Sequence, residues 1–242
     1  MSVGISGSNF WLPLFLVGLS LPPRIAFWMA LASMTLGSGS GVVRNLRTNT
    51  IDVGLAGRLL LLAAPAAAAG SLIAAYVPAT PLLLLFAILA AFSGVRALLP
   101  RAPAEPSANP LPERADSLRA AAGLGGLLQG LVATGCGALL LPALLDHRRD
   151  PTAKLVGTSV LVVFASALVA GLSRLDGAML DALQARQESI VSMLAFAGPG
   201  VVIGGQLGPR VAQRLPRETL RRFFGVLLLL VAGLVVMRAF AS

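Results

Sequence analysis

The stretch Gly70-Ser71-Leu72-Ile73-Ala74-Ala75-Tyr76-Val77-Pro78-Ala79-Thr80-Pro81-Leu82-Leu83-Leu84-Leu85-Phe86 carries the pattern G-x3-A-x3-P-x3-L-x3-F. The pattern returns at Gly208, Ala212, Pro216, Leu220 and Phe224, each residue 138 positions after its counterpart. An earlier pair, Leu12-Pro13 and Leu141-Pro142, is offset by 129. The chain therefore reads as one hydrophobic unit written twice.

Hydrophobic residues make up 56% of the 242 and charged residues only 12%. Mean hydropathy is +0.84. A soluble domain of this size has no use for so much apolar surface, so the composition predicts a lipid environment. A bilayer-spanning helix needs ~20 apolar residues. Uncharged stretches of about that length fill 25–43, 59–95, 120–145, 155–173, 189–209 and 223–237. A duplicated membrane bundle is the usual plan of secondary transporters, with the substrate held where the halves meet. The net charge of +9 sits at the ends of apolar segments, where orientation and anionic headgroups explain it better than nucleic acid does. The single cysteine, Cys136, rules out an internal disulfide. The N-terminus lacks a positively charged opening and a small-residue cleavage site, so no removable signal peptide is expected.

Residues 59–95 are too long for one crossing, roughly 55 Å at 1.5 Å per residue. Tyr76-Val77-Pro78-Ala79-Thr80-Pro81 supplies a break, because proline lacks an amide donor. The first half then reads as helices A (8–21), B (25–43), C (57–76) and D (80–98). Residues 100–119 hold five prolines and six charges and predict a polar linker outside the membrane. The second half reads as A′ (120–145), B′ (153–173), C′ (188–212) and D′ (218–240). The expected fold is an all-α integral membrane protein of about eight hydrophobic segments, in two homologous four-segment repeats, 1–99 and 120–242. If every segment crosses, an even number per half gives both halves the same orientation. Broken helices are expected near Gly7 and Gly135.

Helix A is expected to lack the opening half that A′ has. A misassigned or trimmed start and a genuinely re-entrant or shortened helix both account for that. The dense basic cluster from Arg210 to Arg222 places its loop in the cytoplasm and both termini outside.

These residues resemble a known family. Thr134-Gly135-Cys136-Gly137-Ala138-Leu139-Leu140-Leu141-Pro142 resembles the glycine-rich G-x-G-G-G-x3-P segment of the TauE/SafE sulfite exporter family. Val156-Gly157-Thr158-Ser159-Val160-Leu161 resembles its G-T-S-L segment. Gly204-Gly205-Gln206-Leu207-Gly208, Arg210, Leu215-Pro216 and Leu220-Arg221-Arg222 resemble its late run. Gly4-Ile5-Ser6-Gly7-Ser8-Asn9, Pro13 and Asn49-Thr50-Ile51-Asp52 are similar to the matching first-half positions. Two departures stand out: Ser6, Ser8 and Asn9 replace the first glycine run, and Cys136 stands where glycine is expected. The resemblance implies a multi-pass permease of the bacterial inner (plasma) membrane. Its implied substrates are small sulfur-containing or organic anions such as sulfite, sulfonates and sulfoacetate.

Glycine costs a helix ~1 kcal/mol relative to alanine. Gly135 and Gly137 around Cys136 therefore favour unwinding in mid-membrane. Unwound backbone is tolerated there only inside protein or beside a wet cavity. The free amides of the following half-helix would attract an anion. Close packing through small residues is the alternative. Ser38 on B and Thr158 and Ser159 on B′ could hydrogen-bond an anion or be satisfied by their own helix carbonyls. The candidate substrate-binding set is Ser8, Asn9, Ser38, Gly135, Cys136, Gly137, Thr158 and Ser159. Gln129 is expected to bond a neighbouring helix, and Gln206 stays open. Asp52 and Asp176 are expected to pair with Arg47 and Arg174 at the interface. Arg44 and Arg174, at equivalent ends of B and B′, are read as snorkelling to headgroups rather than gating entry.

No carboxylate or histidine stands clearly at mid-membrane, where proton-coupled carriers keep one. His147 lies in a charged loop. Cys136 has no His or Asp partner in A′, so no enzyme is expected. Metal ligands and a phosphate loop are missing, so neither a metal nor another cofactor is expected. The expected partners are a small anionic substrate and the lipid bilayer, without nucleic acid, and a homo-oligomer stays open. The alternatives are an anion channel and a membrane-embedded enzyme or assembly factor with a duplicated helical core.

Overall fold

The structure is a computed structural model that describes residues 8–99, 113–147, 150–188, 190–192, 195, 199–200 and 217–241. Every regular element among the described residues is helical. Five helices are long and apolar enough to cross a membrane: Pro23–Arg47, Val53–Tyr76, Ala79–Leu98, Thr152–Ser173 and Arg222–Phe240. Large apolar side chains point outward along them, among them Leu61, Ile88, Phe92, Leu172, Leu230 and Met237. In water these would be a liability; around a bundle they are the surface that lipid wets. The chain is a multi-pass membrane protein.

Helix α1 spans Ser8–Pro13 and runs on as a π-helical turn, Leu14–Gly18. The turn follows Pro13, whose ring has no amide to give. Helix α2, Pro23–Arg47, starts on Pro22-Pro23, where a missing amide costs nothing, and ends with Arg44 and Arg47 at the negative end of its dipole. Asp52 caps α3, Val53–Tyr76, by accepting from the Leu55 amide at 2.9 Å. Val77 is extended before Pro78, and α4, Ala79–Leu98, follows at once. The break expected at Val77-Pro78 is therefore present.

Helix α5, Glu113–Val132, begins inside the stretch expected to be polar linker. No proline follows Pro112 there, and Asp116 pairs with Arg119 one turn on, at 3.2 Å. The helix stops at Ala133, with φ of 56°, and Gly135, with φ of 124°. Helix α6, Cys136–His147, then folds back along α5. A Cβ on Gly125 would stand 2.9 Å from the Cys136 Cα, and one on Gly135 would stand 2.7 Å from the Leu128 Cβ. An unbroken helix would hold Gly125 and Cys136 roughly 16 Å apart. Residues 120–145 are thus a hairpin, where the sequence suggested one interrupted crossing.

The contacts also fix direction. Gly126 packs on the Ala63 carbonyl and Gly130 on the Ala67 carbonyl, so α5 runs parallel to α3. Both ends of the α5–α6 hairpin therefore lie at the Asp52 end of the bundle, and the hairpin is re-entrant. A Cβ at Gly126 or Gly130 would approach those oxygens to 2.3 and 2.1 Å, so the seam exists only because both residues are glycine. Helix α7 spans Thr152–Ser173, α8 Gly177–Gln184, and α9 Arg217–Ala241. Trp28 and Leu31 meet Gly171, while Gly39 meets Phe164 and Gly41 meets Val160, so α2 and α7 are antiparallel. Gly94 meets Gly225 and Leu98 also packs on Gly225, and α4 and α9 run antiparallel from that point. The segments matched by sequence offset thus point in opposite directions, against the expectation of one common orientation. Gly7, Gln206 and most of the expected C′ segment lie outside the described residues.

Candidate functional site

Helix α7 ends at Ser173, and the next residue, Arg174, turns back into the bundle instead of out to the headgroups. It is only 8% exposed. The break at Ala133–Gly135 explains why. Ending α5 at Val132 strips its last carbonyls of intrahelical donors and leaves the negative end of a helix dipole inside the protein. The Arg174 Nη2 donates to two of those carbonyls, Gly130 O and Leu131 O, the latter at 2.6 Å. Its Nε donates to the Ser71 hydroxyl at 3.4 Å. Its guanidinium stands 5.5 Å from the centre of the Phe27 ring, a cation–π contact. The snorkelling expected for Arg174 is corrected: its charge stays in because buried carbonyls need it.

Arg174 lines a cavity of about 420 Å³ with Ser71, Phe27, Arg24, Tyr76 and Asp176 among its walls. Among the described residues its Nη1 makes no hydrogen bond. Arg24, in the first turn of α2, donates to Ala75 O at 3.4 Å and pairs with Asp176 at 3.6 Å. Asp176 also caps α8 by accepting from the Met179 amide at 2.7 Å. The site therefore sets a buried guanidinium and a second, half-exposed guanidinium around one hollow. That donor set suits an oxyanion.

Below the cavity a polar seam continues between the hairpin and α7. Ser71 donates to Ala170 O at 2.7 Å. Gln129 donates to Val163 O at 3.1 Å and accepts from Ser166 at 3.3 Å. Gln129 thus bonds a neighbouring helix, as its sequence position suggested. Cys136 is fully buried.

The sequence-derived candidates are dispersed rather than gathered. Gly135, Cys136 and Gly137 form the turn of the hairpin, with Gly137 against Val163, and none of them walls the cavity. Thr158 lies at the opposite end of the bundle, bonded to Lys154 O at 2.7 Å and to the Asp52 amide at 3.0 Å. Ser159 is buried beside it. Ser38 donates to Met34 O on its own helix. Ser8 and Asn9 open α1, and their side chains lie outside what is described. Across the bundle Asp52 meets Lys154 at 3.7 Å, and Asp176 meets Arg24 rather than the expected Arg174. Sequence reading missed Arg24 and Ser71. The available signal for Arg174 was a lone cation directly after an apolar helix, 130 residues from an equivalent Arg44.

A lipid-facing helical bundle with a re-entrant hairpin and a buried cationic hollow defines a polytopic membrane protein. A family model for the sulfite exporter TauE/SafE matches residues 1–235, and the chain belongs to that family. It is 32% identical over 181 residues to a probable membrane transporter protein of Xylella fastidiosa strain Temecula1 / ATCC 700964. It is 34% identical over 181 residues to a probable membrane transporter protein of strain 9a5c. Each match takes in 72% of this chain but 64% of the relative, so the chain spans under two thirds of the length of these curated relatives. No solved structure matches it.

Proposed function

We propose that this chain is a permease of the inner (plasma) membrane for a small anion, a sulfur oxyanion or an organosulfonate. The observation that carries the reading is Arg174: a guanidinium held inside a membrane bundle, pinned by Ser71, Gly130 and Leu131, and lining a hollow. Charges at such depth are expensive and mark solute pathways. Arg24 at the mouth adds attraction for the incoming anion. Gly135, Cys136 and Gly137 serve as the hinge of the hairpin that supports the site.

The transport mode we infer is alternating access between two inverted repeats, 1–99 and 120–242. Support comes from the antiparallel runs of α2 with α7 and α4 with α9. A hairpin that enters and leaves by one face removes a crossing from its half. An odd number of crossings per half inverts one repeat against the other.

The test is uptake of radiolabelled sulfite, thiosulfate, sulfoacetate and taurine into proteoliposomes. Saturable uptake with counterflow of at least one anion, lost in Arg174→Gln, is the expected result. Ohmic current without counterflow would replace the carrier with a channel. Equal uptake by Arg174→Gln and the unmodified protein would remove the cavity from the pathway.

A further inference from the structure

Among the described residues two ion pairs join the halves, and they are reciprocal. Arg24 stands in the first turn of α2, and Lys154 stands in the first turn of α7, 130 residues later. Asp176 caps the helix after α7, and Asp52 caps the helix after α2. Arg24 pairs with Asp176 at 3.6 Å, and Lys154 pairs with Asp52 at 3.7 Å. Each bond thus ties the start of one half's second helix to the capping aspartate of the other half. Because α2 and α7 are antiparallel and each is long enough to span, the pairs sit at opposite ends of the bundle.

The two ends are packed differently. Arg24 and Asp176 both line the cavity. At the Lys154 end the Asp52 amide bonds the Thr158 hydroxyl, and Gly157 lies so close to the Thr50 carbonyl that a Cβ would approach it to 2.0 Å.

We propose that Arg24–Asp176 and Lys154–Asp52 are the paired gates of the carrier, one on each membrane face, and that both pairs are made in this structure. The inference rests on the alternating-access reading above. Each pair tips the balance toward closure of its own face. Both pairs are part-exposed, so each acts as a bias rather than a lock. Asparagine caps a helix as well as aspartate does, so replacing either aspartate removes the charge and keeps the cap.

The experiment reads accessibility, not transport. A reporter is placed in the cavity wall by Ala75→Cys, leaving Cys136 buried and silent. Its labelling by a membrane-impermeant maleimide is followed in proteoliposomes of known orientation, from the Arg24 face. With Asp52→Asn the far gate loosens, the population shifts away from the Arg24-open form, and labelling slows about two- to fivefold. With Asp176→Asn the near gate loosens and labelling speeds by a similar factor. The same direction of change in both asparagine variants, or no change in either, overturns the proposal. Because labelling needs no solute, the outcomes separate. Opposed shifts without any oxyanion uptake keep the gates and sink the anion assignment, while uptake with unshifted labelling does the reverse.

Discussion

Replacing Arg174 with lysine keeps the charge and removes the fork. In the structure one guanidinium holds Gly130 O and Leu131 O through Nη2 and Ser71 through Nε. Its third nitrogen is turned to no described partner. An ammonium can still cap a carbonyl of α5, but its donors sit on one nitrogen and cannot reach the separate positions that Nε, Nη1 and Nη2 occupy. A hydrogen bond involving a charged group is worth about 1.5–3 kcal/mol. Losing one such bond to the bound anion weakens affinity about 10- to 150-fold. The second α5 carbonyl, left without its donor, costs about 1–3 kcal/mol of stability. Calorimetric titration of purified protein with sulfite and with sulfoacetate measures the first effect, and a thermal melt in the same detergent measures the second. Arg24→Lys is the control, because that side chain is half exposed and its loss of geometry is screened by water; its affinity change stays under about threefold. An Arg174→Lys protein that melts lower yet binds within threefold of the unmodified chain would show that the arginine only props the hairpin.

Two further outcomes test the architecture. Gly130→Ala sets a Cβ 2.1 Å from the Ala67 carbonyl and forces α5 off α3, whereas Gly57→Ala meets nothing within 4 Å. The first loses folded yield or melts several degrees lower in a detergent melt, and the second does not. Gly135→Ala places a β-carbon on a residue with φ of 124° and against Leu128. It costs about 1–3 kcal/mol, read as a lower melting midpoint with cavity labelling from the open face altered.

What was legible in the sequence was whatever proline, glycine and apolar run length decide locally. The break at Val77-Pro78 and the interruption at Gly135 needed only the residues on either side. The course of the chain after Gly135 did not follow from the same signals. Whether α6 continues α5 or returns along it depends on Gly125 admitting the Cys136 backbone, and a glycine among glycines does not announce its partner. Arg174 was misread for a related reason. A cation after an apolar helix snorkels unless something deeper needs it, and here the need arises at Gly130 and Leu131, on a different helix. Asp176 was paired wrongly because proximity along the chain, to Arg174, lost to proximity across the bundle, to Arg24.

The glycine notches between α3 and α5 have a mechanical consequence. With carbonyl oxygens seated where side chains would be, those two helices cannot slip past one another without driving oxygen into carbon. They are welded, and the hairpin must ride with α3 as one block. Contacts through flexible side chains, such as Phe164 over Gly39, are the surfaces left to shear. α3 of one half and α5 of the other are therefore expected to move as one block, with sliding along α2 and α7 carrying both.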